Sequence, residues 1–148
     1  MIFDNTTLLS DRQAITVTAP STNVIDLGPL GTVKFASGPL RRDIGMGTPI
    51  PIVVQVVQQF TAAGAATMQV ALQVDDNAAF TTPKTVATYG SNLALADLKP
   101  GARFSLNYIP KGTDERYLRV NYTVGTGPMT AGQVFAGIVM GDQDAPYP

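Results

Sequence analysis

Asp75-Asp76 sets two carboxylates side by side, the kind of pair that can divide general-acid and general-base work. On a strand, though, adjacent side chains point to opposite faces, and the Asn77-Ala78 that follows reads as a strand end and a turn. Asp142-Gln143-Asp144 offers hard oxygen ligands of the calcium type, but it lies in a proline-rich tail with no further oxygen donors close by in sequence. Arg41-Arg42-Asp43 is the densest charge cluster, and guanidinium forks suit carboxylates across an interface. A solvated loop tip accounts for the same residues. Asn5-Thr6-Thr7 and Asn121-Tyr122-Thr123 match a glycosylation acceptor by chance on this reading, since the second falls inside a strand pattern. The aromatic candidates for a partner contact are Phe3, Tyr117 and Tyr147.

The absences narrow the chemistry further. The chain has no histidine and no cysteine. Without histidine the commonest general base, the commonest metal ligand and the serine or cysteine triads are missing, and without cysteine there is no thiolate site, disulfide or redox switch. We therefore expect no enzyme activity, no catalytic metal and no cofactor. Stability must come from core packing or from assembly.

These residues need a scaffold, and composition bounds it. At 148 residues the chain fits one domain, and 45% apolar against 14% charged residues argues against disorder. Thr, Gln and Asn occupy many places where a free monomer carries Lys and Glu, and Glu occurs once, at Glu115. Such a surface suits a partner. The net charge is −1 and no basic run exceeds Arg41-Arg42, so the footprint for nucleic acid is missing. No stretch reaches the roughly 18 continuous apolar residues of a membrane span. The start Met1-Ile2-Phe3-Asp4-Asn5 lacks a basic segment followed by an apolar one, so we expect synthesis in the cytoplasm and no membrane partner.

Helical periodicity is nearly absent, while alternation recurs. In Thr67 to Asp75 the side chains Met68, Val70, Leu72 and Val74 share one face, and Arg116 to Val124 repeats the pattern with Leu118, Val120, Tyr122 and Val124. Phe104, Leu106 and Tyr108 give a third alternating stretch. Ile50 to Gln59 is more continuously apolar, as in a central strand covered on both faces or one at an interface, and its glutamines favour the interface. Weaker strands are expected over Ala14 to Ala19, Thr22 to Leu27, Lys84 to Tyr89 and Gln133 to Met140. About eight strands at this spacing predict an antiparallel β-sandwich of jelly-roll type. Residues 28–49 form a long loop with five glycines and three prolines, containing the short echo Gly28-Pro29-Leu30 and Gly38-Pro39-Leu40. An amino-terminal arm (residues 1–12) and a carboxy-terminal tail (residues 141–148) complete the single domain.

Six stretches carry a likeness to a known family. They are Met1 to Thr6, Ser21 to Gly28, Arg42-Asp43-Ile44-Gly45, Gln73 to Phe80, Arg116 to Tyr122 and Ala131 to Val139. Together they resemble the capsid cement, or decoration, proteins of tailed bacteriophages. The resemblance implies a jelly roll on the outer surface of the virion head that clamps neighbouring major capsid subunits against packaged DNA, often as a homodimer. No catalytic pattern comes with it. On that footing Ile2, Phe3, Asp4, Arg41, Arg42, Asp43 and Tyr147 are the expected partner-binding residues, and a twofold contact is expected at Ile50 to Gln59. The alternative is a carbohydrate- or ligand-binding jelly roll of a tail, fibre or baseplate, against which stand the lack of Trp and 7% aromatic content.

Overall fold

Alternating side chains become strands wherever one face can be covered, and nine strands form in the computed structural model, which describes residues 3–32, 34–35 and 37–141. They are β1 (Leu8–Ala14), β2 (Ala19–Pro20), β3 (Ile25–Asp26), β4 (Ile52–Ala62), β5 (Thr67–Asp75), β6 (Lys84–Ala94), β7 (Arg103–Leu106), β8 (Tyr117–Gly125) and β9 (Met129–Ile138). All pair antiparallel. One sheet runs β1-β9-β4-β7 and the other β2-β8-β5-β6, with β3 also on β8. If β2 and β3 are taken as one interrupted strand, eight strands divide between two facing sheets in jelly-roll order.

The core lies between the sheets. Met68, Val70, Leu72 and Val74 of β5 and Leu118, Val120 and Tyr122 of β8 are buried, with β5 and β8 in unbroken register from Thr67 opposite Gly125 to Asp75 opposite Tyr117. Tyr122 and Ser10 join the sheets through their hydroxyls at 2.8 Å. Because the Ser10 hydroxyl donates to Gln13 Oε1 at 2.8 Å, the tyrosine is the donor in that pair. Burial raises the Tyr122 pKa well above the ordinary phenol value, so the hydroxyl keeps its proton.

Ile50 to Gln59 corrects an expectation. β4 sits between β9 and β7, and Ile52, Val53, Val54 and Val56 are all buried inside the molecule, so these four are not offered to a twofold partner. Only the far half, Val57 to Gln59, faces out. The strand is apolar on both faces because both are covered from within its own chain. Ile52, Val54 and Val56 enter the core, and Val53 lies opposite Gly137. Phe3 rests on that outer surface: a Cβ on Gly137 would come within 2.9 Å of its ring, and its centroid is 4.8 Å from that of Phe135.

The first strand also differs from expectation. It lies upstream at Leu8–Ala14, overlapping the end of the segment 1–12 read as an arm, and the expected strands over 14–19 and 22–27 shrink to two short pieces on β8. Leu8, Leu9 and Ser10 are consecutively buried, and the pairing with β9 slips between Leu8 and Ser10 and again between Ser10 and Gln13, with Arg12 at φ 46. These irregularities spoil the simple alternation that would have marked the strand. Tyr108 lies beyond β7 and is exposed.

Candidate docking loop

The loop 28–49 is clasped at its base and free at its tip. Asp26 begins the clasp by receiving the Gly28 N–H at 2.8 Å and a two-pronged contact from the Arg116 Nε and Nη2, both at 2.7 Å. Arg116, with help from the Gly28 N–H, lowers the Asp26 carboxyl to about 2. Arg42 donates from Nη2 to the Gly28 carbonyl at 2.6 Å and so ties the returning strand of the loop to the outgoing one.

Asp43 is the second fastening. One carboxylate oxygen accepts the Gly45 N–H at 3.0 Å, and the other accepts the Gly112 N–H at 2.9 Å, 69 residues away in sequence. Ile44 donates its N–H to the Thr113 carbonyl at 3.2 Å and packs against the core. The fit is close enough that a Cβ on Gly45 would lie 2.1 Å from the Pro110 carbonyl oxygen, so only glycine allows the approach. Lys84 secures the opposite turn through the Gly112 carbonyl at 2.9 Å and Asp114 at 2.8 Å. That ion pair raises the Lys84 pKa and lowers that of Asp114.

Beyond the clasp the chain folds into a small hairpin, with Leu40 N–H donating to the Gly31 carbonyl at 2.8 Å and Thr32 bridging Pro39. Leu30, Phe35, Leu40 and Met46 stand exposed along the loop 28–49, four of the nine large apolar side chains exposed among the described residues. Leu30 and Leu40, the last residues of the Gly-Pro-Leu echo, line one concavity of about 590 Å³ with Arg41 and Arg42. Met46 and Lys111 line a neighbouring one of about 460 Å³ with the same arginines and Asp114. Arg41 and Lys111 have no ion-pair partner among the described residues.

The expected contact residues therefore separate. Arg41 is exposed beside apolar neighbours, whereas Arg42 holds the loop's own backbone and Asp43 ties that backbone to Gly112. Phe3 is half-buried on its own sheet, and Asp4 forms a local turn by accepting the Thr6 N–H at 2.7 Å and the Thr6 hydroxyl. Ile2 and Tyr147 lie outside the described residues. Sequence reasoning missed Leu30, Phe35, Leu40 and Met46. The signal for the clasp was present as Asp26-Leu27-Gly28 and Asp43-Ile44-Gly45, two Asp-x-Gly turns in which the carboxylate takes the N–H two residues on.

Asp75 is likewise a turn residue. It is buried, and its two oxygens accept the Asn77 N–H at 2.8 Å and the Thr82 N–H at 2.9 Å. Asp76 points elsewhere, to the Arg116 N–H at 3.2 Å. Among the described residues no group of three or more acidic side chains is placed to hold a metal ion.

The chain belongs to the Bbp16 family, whose model matches residues 9–138. No curated protein matches it.

Proposed function

We propose that this member of the Bbp16 family is a structural cement protein of a tailed-phage head, binding the outer face of the shell and clamping neighbouring major capsid subunits. The observation that carries the reading is the loop 28–49. A scaffold that buries its own apolar strands holds out one clasped loop bearing Leu30, Leu40 and Met46 beside Arg41, which has no ion-pair partner among the described residues. Apolar anchors next to a guanidinium are the residue types that dominate protein interfaces, and the clasp has already met part of the ordering cost of docking. A protein that binds assembled shell better than free subunits stabilises the shell by mass action, with no catalysis. The resemblance to phage cement proteins and the jelly-roll order support the same reading.

The test is co-sedimentation of the purified chain with empty heads of the phage that encodes it. Saturable binding that raises the temperature of shell disruption is expected, and Leu40→Ser with Arg41→Ala should weaken it at least tenfold while leaving the far-ultraviolet spectrum unchanged. Absence of binding, together with tight and selective binding of one sugar on a glycan array, would replace this reading with that of a carbohydrate module.

A further inference from the structure

We infer that the loop tip joins copies of this chain to one another, the Lys34-Phe35 tip of one copy seating in the apolar groove between the amino-terminal turn and the end of β9 on a second copy. This contact goes beyond attachment to a shell and does not depend on it.

The tip carries two features that are unfavourable in an isolated chain. Phe35 is 96% exposed, and its backbone is left-handed at φ 72, where a side chain crowds the peptide. Both lie beyond the pairings of Leu40 with Gly31 and of Thr32 with Pro39, and strain combined with exposure at one aromatic marks an element shaped for a contact. Lys34 places its ammonium 5.2 Å from the Phe35 ring centre, so the tip is an aromatic wedge with a cation beside it.

The complementary surface lies on the same chain. A groove of about 460 Å³ is lined by Pro49, Ile50, Pro51, Ile138, Val139 and Met140, together with Asp4 and the threonines Thr6, Thr7 and Thr48. Met140 is fully exposed. Asp4 has no ion-pair partner among the described residues, and neither has Lys34. The groove matches the wedge in polarity and can hold a phenyl ring, and the charge of Asp4 is opposite to that of Lys34. A second copy is therefore the occupant the charges favour. The exposure of Phe35 shows that it does not fill the groove of its own copy. Since wedge and groove are different patches, the contact is head-to-tail and can pass from copy to copy across a surface.

The lack of native cysteine makes the test direct. Phe35→Cys and Met140→Cys proteins, each with a single thiol and one of them mass-tagged, are mixed and oxidised. Disulfides between Cys-bearing tip and Cys-bearing groove should exceed both like-with-like products by more than random pairing gives. Adding Lys34→Glu to the tip protein, or raising the salt, should lower that excess several-fold. Random pairing, or no cross-link at concentrations up to the solubility limit, overturns the inference. So does a double variant that closes only within one chain, or a tip thiol that is captured on intact particles by the shell protein and not by the groove.

Discussion

Leu72, Val74, Leu118 and Val120 face inward from neighbouring strands and are at most 1% exposed, whereas Leu30, Phe35, Leu40 and Met46 on the loop are 46 to 96% exposed. The two regions use similar side chains and are held by different forces. In the sandwich, burial of apolar area fixes the strands and the ladders follow. In the loop, Asp26, Arg42 and Asp43 fix the backbone through charge-assisted hydrogen bonds, which leaves the apolar side chains available. A polar clasp is thus how a chain can keep a hydrophobic surface both ordered and uncovered. The two regions should fail independently, and each variant below separates them.

The largest expected effect is in the core. Leu72→Ala should lower global stability by about 2–5 kcal/mol, read as a fall in the urea midpoint, because the cavity adds to the lost transfer energy. Asp43→Ala comes next, since two backbone N–H groups lose their acceptor at a cost of about 1–3 kcal/mol. Here the loss should appear as faster amide exchange within residues 28–49 and 109–114, with strands β5 and β8 still protected. Gly45→Ala should reproduce that pattern by pushing against Pro110. If either change unfolds the whole chain, the loop is part of the cooperative core and the contrast fails.

Tyr122→Phe should cost about 1 kcal/mol, because Ser10 keeps its bond to Gln13 when the phenol is removed. Acid should act on the clasp before the core. Asp26 is held below its unfolded value of 3.8, at about 2, so its contribution is complete above 3.8 and is lost as pH falls through about 2. The pair is exposed, so the effect is small and diminishes with salt, and Asp26→Asn should remove it from the acid limb of a stability profile. Phe35→Ser should change stability the least, within about 0.5 kcal/mol, since the ring is 96% exposed.

Strands with one clean face were legible from sequence. Thr67–Asp75 was read to the residue, and Arg116 to Val124 came within one position of β8, because period-two alternation reports directly which side chains meet a core. Leu8–Ala14 was not legible, since Arg12 and the slipped register hide the period. In the loop, the glycines and prolines announced an irregular connection without saying which side chains would be held out. Arg41, Arg42 and Asp43 form one local cluster in the sequence, and only the fold gave Arg42 and Asp43 to the backbone and left Arg41 exposed.

By itself, the sequence determined the class of fold and the absence of histidine and cysteine chemistry, because both depend on residue type and local spacing alone. Tertiary structure decided where each apolar stretch went. Ile52 to Val56 carries the composition of an interface strand, and it became interior because β9 and β7 closed on either side while Phe3 came to lie on the outer face. Leu30 and Leu40 have no less apolar surface to bury, yet they remain outside because Asp43 reaches a backbone N–H 69 residues away and fixes the loop clear of the core. Periodicity encodes the face of a strand, but what covers that face depends on register and on partners distant in the chain.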